Sequence, residues 1–136
     1  MEKYNIKFSL EDNRALLESK INSFNHGFIN TNNEYYCISA KDKNNVLLAG
    51  LAAELYGNVF YINYLWVSDK LRGGGLGREL LRLAEKKARG TDSNTIAVDT
   101  FSFQAPDFYV CNGFSIIGIL ECGEDYKRYY LSKSLK

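Results

Sequence analysis

The segment Arg72-Gly73-Gly74-Gly75-Leu76-Gly77 constrains this chain more than any other. It follows Val59 to Val67, an aromatic and β-branched run that reads as a strand. It leads into a helix in which Leu76, Leu80, Leu83, Ala84 and Ala88 form one apolar stripe, with Arg82, Lys86, Lys87 and Arg89 around it. Basic residues in the last turn and Gly90 just beyond it mark the end of that helix. A helix start carries unpaired backbone N–H groups and the positive end of the dipole. Glycine there admits positive φ and the close approach of an anion. With Arg72 and Arg78 as charged neighbours, the turn suits a pyrophosphate. A purely structural turn does not require four glycines in the five positions from Gly73 to Gly77. Two nucleotide-binding patterns fail on residues. A P-loop needs Lys-Ser/Thr after its last glycine, and here Arg78-Glu79 follows; G-x-G-x-x-G would put its third glycine at Arg78 or Leu80.

The remaining chain reads as an α/β domain. Tyr4, Ile6 and Phe8 alternate with polar residues as a strand does. Ser9-Leu10-Glu11-Asp12 offers a helix cap, Leu17, Ile21 and Phe24 follow at helical spacing, and Asn25-His26-Gly27 closes the helix. Tyr35 to Ala40 and Val46 to Leu55 read as strands, and Gly57-Asn58 as a two-residue hairpin turn into Val59 to Val67. Thr95 to Thr100 is a further strand. Pro106 opens a short helix that Gly113 ends, and Phe114 to Leu120 and Tyr126 to Leu131 are two antiparallel neighbours.

Composition narrows the function classes. The 136 residues suit one domain, and 17 basic against 16 acidic side chains argue against a broad basic face for nucleic acid. The apolar run Val46 to Ala53 is far short of the ~20 residues a membrane span needs, and the first residues lack the apolar core of an export signal. Cys37, Cys111 and Cys122 are odd in number and widely spaced, and His26 is the lone histidine. Reduced thiols, no metal site and a cytoplasmic location are the expectation.

The glycine segment resembles the acetyl-CoA signature Arg/Gln-x-x-Gly-x-Gly/Ala of the GNAT N-acetyltransferase superfamily. Ala105-Pro106-Asp107-Phe108-Tyr109-Val110-Cys111-Asn112-Gly113-Phe114 is similar to the family's Ala-x-x-Leu/Phe-Tyr-x-x-x-Gly-Phe segment, and the element order also matches. The resemblance implies a single domain over residues 1–136 with a mixed, mostly antiparallel twisted sheet. That sheet has about seven strands, splayed between the fourth and fifth, and about four flanking helices. It implies an N-acetyltransferase that passes the acetyl group of acetyl-CoA directly to a primary amine. Gly73, Gly74, Gly75, Leu76 and Gly77, with Arg72 and Arg78, would hold the pyrophosphate. Leu65 and Val67 would pair with the pantetheine arm, and a backbone N–H near Leu65 or Trp66 would polarise the thioester. Phe108 would pack beneath the cofactor. Ser102 stands where the family often has Asn.

In the same resemblance Tyr109 is the acid that protonates the departing thiolate. Cys111 has no His partner and is a poor nucleophile. Some members carry a Glu at the position of Tyr61. Hairpin arithmetic places Glu54 directly opposite Tyr61, on the same sheet face, as a substitute base. His26 and water are the alternatives. Asp99, Glu121, Glu124 and Asp125 are candidates to attract a cationic acceptor. A small-molecule acceptor is expected, with a protein amine, or acyl-CoA binding without transfer, as the competing readings. The exposed ends of the last strands offer a surface for a homodimer.

Overall fold

The structure is a computed structural model and describes residues 4–8, 12–29 and 34–136. They divide into two compact units, Met1–Asn30 and Thr31–Lys136. In the first, helix α1 spans Arg14–Asn25, and the Arg14 N–H donates to Asp12 Oδ1 (2.9 Å). The helix ends at Asn25, as the Asn-His-Gly stretch indicates. Ser9 to Glu11 of the expected cap lie outside the described residues.

Residues 4–8 are not a strand, which corrects the reading of Tyr4, Ile6 and Phe8. Alternation specifies which face a strand would bury, but a strand also needs a ladder partner. The described sheet therefore has six strands rather than about seven. Among the described residues three α-helices and one 3-10 turn, Asp69–Leu71, stand in place of about four helices.

In the second unit β1 (Tyr35–Lys41), β2 (Leu47–Tyr56) and β3 (Val59–Val67) form an antiparallel meander. Helix α2 (Leu76–Arg89) then crosses to β4 (Thr95–Phe101), which lies parallel to β3. Helix α3 (Pro106–Cys111) precedes β5 (Ser115–Glu121) and β6 (Lys127–Ser134), and β6 inserts between β4 and β5. The order is β1-β2-β3-β4-β6-β5, with β3–β4 the one parallel pair among the described strands.

One sheet face buries Ala49, Leu51, Ala53, Phe60, Ile62, Ile96, Val98 and Leu131 against Leu80, Leu81, Ala84 and Ala88 of α2. Burying each large aliphatic side chain contributes about 1.5–3 kcal/mol. Leu81 takes the fully buried place expected of Leu83, which is half-buried. The sheet meets a face centred on residues 81, 84 and 88, rotated slightly from the stripe that apolarity alone outlines.

Two irregularities position the site. The β3–β4 ladder runs only from Val59↔Thr95 to Ile62↔Val98, after which the strands part. This is the expected splay. On the other side of β3, Ala52 pairs with Tyr64 and Ala53 with Ile62, so Asn63 is an extra, bulged residue. A bulge bends its strand and raises its twist, and here it begins where β3 leaves β4. At the far end of α2, the Lys133 ammonium donates to Glu85 Oε1 (2.7 Å) and to the Asn112 carbonyl (2.9 Å). That links β6, α2 and the end of α3.

Candidate functional site

The glycine turn leaves backbone donors free at the start of α2. Gly73 and Gly75 have φ of +83° and +86°, a backbone that L side chains rarely adopt. Gly75 is the helix cap and makes no side-chain hydrogen bond; the first intrahelical bond runs from the Glu79 N–H to the Gly75 carbonyl (3.0 Å). The N–H groups of Leu76, Gly77 and Arg78 thus have no acceptor within the helix. They border a cavity of about 460 Å³ whose wall also includes Val67, Arg72, Gly73, Gly75, Phe108 and Cys111. A Cβ on Gly77 would touch Phe108 and Val67 at 3.6–3.7 Å, so α2, α3 and the end of β3 converge there. This donor set fits a pyrophosphate.

The two arginines differ. Arg72 Nε donates to the Val67 carbonyl (3.1 Å) and its Nη2 pairs with Asp69 (3.0 Å), which ties the end of β3 to the 3-10 turn. Arg78 lines the cavity and has no ion-pair partner among the described residues. It is the uncommitted charge beside the cavity; Arg72 is partly committed.

Leu65 and Trp66 lie upstream on β3, opposite Leu51 and Gly50, beyond the point where pairing with β4 stops. Their backbone therefore faces the gap, although neither they nor Gly74 line the cavity. Ser102 is placed elsewhere. Its hydroxyl accepts the Lys127 N–H (3.0 Å), closing the end of the β4–β6 pair, and it borders a separate cavity of about 310 Å³ with Glu121, Glu124 and Asp125. His26 lies in the first unit, just after α1.

Tyr109 is held in α3 with Pro106 at the helix start, its ring edge-on to Phe108 and Phe114 (5.1 and 5.5 Å). The ring is buried, and its hydroxyl has no hydrogen-bond partner within the protein among the described residues. Burial, and secondarily the negative charge of Asp99, push the Tyr109 phenol up to about 12. It stays protonated and able to donate throughout the neutral range.

Glu54 stands opposite Tyr61, with Leu55 opposite Phe60 and Tyr56 opposite Val59, as hairpin counting indicates. The bulge that would move Glu54 to the other face falls at Asn63, beyond this pair. The half-buried Glu54 accepts a hydrogen bond from Asn63 Nδ2 at Oε1 (3.2 Å).

Asp99 is a sequence candidate for attracting a cationic acceptor, but its contacts with Tyr61 and Arg128 are not legible in the sequence. The Tyr61 hydroxyl donates to Asp99 Oδ2 (2.8 Å), while Arg128 donates to Asp99 Oδ1 through Nη2 (2.6 Å) and Nε (3.1 Å). Burial first, and then this bond to Asp99, push the Tyr61 phenol up to about 12. A carboxylate thus stands beside position 61, supplied by β4. Alternation in Thr95-Ile96-Ala97-Val98-Asp99 puts Asp99 on the non-core face, but only the parallel β3–β4 register brings it to Tyr61.

Comparisons with known proteins bear on the family and the fold. The sequence profile described as "Acetyltransferase (GNAT) family" matches residues 2–114. A blasticidin-S acetyltransferase of Streptomyces morookaense is 34% identical over 85 residues, 61% of this chain; the chain spans 62% of that relative's length. An acetyltransferase structure from Bacillus cereus superposes with a TM-score of 0.84 at 24% identity, covering 98% of this chain and 99% of that one. An aminoglycoside 6'-acetyltransferase type Ii structure gives a TM-score of 0.65 at 25% identity, covering 77% and 72%.

Proposed function

The chain belongs to the acetyltransferase (GNAT) family, and from that premise we propose that it transfers the acetyl group of acetyl-CoA to a primary amine of a small molecule, within a ternary complex. The observation that carries the reading is the set of free amides at Leu76, Gly77 and Arg78, opening on a cavity beside the β3–β4 gap. The names of the relatives that act on blasticidin S and on aminoglycosides support a small-molecule acceptor.

In this reading the pyrophosphate sits on the α2 amides with Arg78 as counter-charge. The pantetheine arm adds along Leu65 to Val67, where β3 has lost its β4 partner. An N–H of Leu65 or Trp66 stabilises charge building on the thioester oxygen. The amine nitrogen attacks the carbonyl carbon, the C–N bond forms, and the C–S pair leaves on sulfur. Tyr109 donates a proton to that sulfur and regains one from solvent. The amine proton passes through water to Glu54. Ser102 serves the strand ends, and we keep it out of the cofactor contacts. The exposed thiols Cys37, Cys111 and Cys122 remain reduced in the cytoplasm, the compartment we propose.

The direct test has two halves. Acetyl-CoA at a hundredfold excess over its Kd raises stability by about 2.7 kcal/mol, read as an upward shift in Tm. Release of free CoA thiol then identifies the acceptor among amines, aminoglycosides and peptide amino termini. Stabilisation without turnover on any of them favours acyl-CoA binding alone; absence of both refutes the reading.

A second copy is proposed to add to the free edge of β5, where Ile117 and Ile119 are exposed. Light scattering is expected to show a dimer that Ile119→Lys converts to monomer. A monomeric parent chain refutes this.

A further inference from the structure

Tyr61, Asp99, Arg128 and Glu54 alternate with the buried core positions of their strands, so their side chains occupy the sheet face opposite the α2 core. Asp99 directly follows Val98, the last β4 residue paired with β3, and so stands where the two strands part. Both of its oxygens are engaged: Oδ1 by two N–H groups of Arg128, Oδ2 by the Tyr61 hydroxyl. Arg128 is held in turn over the Tyr130 and Phe101 rings at 5.6 and 5.3 Å. Three hydrogen bonds thus hold Asp99 in place. Its influence passes through Tyr61.

A phenol has one proton to donate. Once that proton is committed to Asp99, the Tyr61 oxygen can only accept. Its cross-strand neighbour Glu54 is likewise an acceptor, and has no ion-pair partner among the described residues. Arg128 neutralises Asp99, so of these four side chains Glu54 alone carries a charge with no opposite charge paired to it. Two acceptors and a net negative charge suit an ammonium or amine donor and disfavour an anionic acceptor molecule.

We propose that Asp99 is a positioning residue that locks the Tyr61 hydroxyl as a hydrogen-bond acceptor, so that Tyr61 and Glu54 together hold a cationic amine at the β3–β4 gap. This rests on the acetyl-transfer reading above. It assigns recognition of the acceptor to Tyr61, and assigns Asp99 to orienting Tyr61 rather than to proton transfer.

The test uses the full chain with acetyl-CoA and a panel of primary amines headed by spermidine and kanamycin. Tyr61→Phe and Asp99→Ala are each expected to raise the KM of the amine about tenfold, with the KM of acetyl-CoA unchanged. Asp99→Ala is read in an Arg128→Ala background, so that no unpaired guanidinium is left to repel the cation; there, adding Asp99→Ala to Tyr61→Phe is expected to cost nothing further, because Asp99 acts through that hydroxyl. Asp99→Asn in the same background, whose amide oxygen still accepts from Tyr61, is expected to recover most of the loss. The inference is overturned if the parent enzyme turns over an amine and Tyr61→Phe leaves its KM unchanged, or if the two losses multiply. Should Asp99→Ala fail to fold, Tyr61→Phe decides alone, since it keeps the Asp99–Arg128 pair. A parent chain that binds acetyl-CoA but acetylates no amine removes the acetyl-transfer reading, and this inference with it.

Discussion

Tyr109→Phe is expected to lower kcat by about a hundredfold while leaving the Kd of acetyl-CoA nearly unchanged, the range for losing a general acid. The ring keeps its packing on Phe108 and Phe114, so only the hydroxyl is lost. Steady-state rates alongside binding by calorimetry separate the two effects. The pH dependence supplies a second signature. Tyr109 acts in its protonated form, and its phenol is pushed up to about 12 by burial and by Asp99. Activity that depends on its proton is present below that value and is lost above it. The pH–rate profile should therefore show no alkaline fall from Tyr109 in the usual assay range. A descending limb near pH ~10, the unperturbed tyrosine range, that disappears in Tyr109→Phe would contradict the buried assignment. Unchanged kcat would remove Tyr109 from the chemistry.

Gly75→Val should be the second severe change, weakening acetyl-CoA binding by about 10–100-fold. A β-branched residue in the left-handed region costs about 1–2 kcal/mol, which is about 5–30-fold in affinity if the strain distorts the turn. Among the described residues, chain neighbours aside, nothing lies within 4 Å of a Cβ built at Gly75, so the cost comes from backbone strain and from occupying the anion's space. Gly77→Ala is the matched control. Its Cβ makes ordinary contacts at 3.6–3.7 Å with Phe108 and Val67, and alanine is the better helix former. Its binding and Tm should stay close to those of the parent. Equal losses in both variants would mean that the left-handed backbone of the turn is not what binding requires.

Much of this architecture is written in short-range patterns. The strand Val59–Val67 coincides with its sequence reading residue for residue, because its β-branched and aromatic side chains sit between a hairpin turn and the glycine segment. The Glu54↔Tyr61 register follows from a two-residue turn and simple counting. The anion cradle follows from glycine's access to positive φ just before an amphipathic helix. The failures have a common origin. Tyr4, Ile6 and Phe8 alternate like a strand, yet alternation names no partner. The α2 stripe included Leu83 where packing selected Leu81, since the sheet's position sets the buried face. Ser102 is a different case: it sits one step beyond β4 and its hydroxyl accepts the Lys127 N–H, a contact across 25 residues that no local pattern encodes.

Residue order thus dictated the features that depend on a few neighbouring side chains: the helix start with its free amides, the hairpin register, and the motif that carries Tyr109. Tertiary structure alone decided which distant groups meet. Asp99 reaches Tyr61 across 38 residues because β4 lies parallel to β3 and parts from it after Ile62 and Val98. Arg128 reaches Asp99 because β6 inserts beside β4 ahead of β5. Such pairings are set by burial of one whole sheet face against α2, a property summed over the fold that no local spacing encodes.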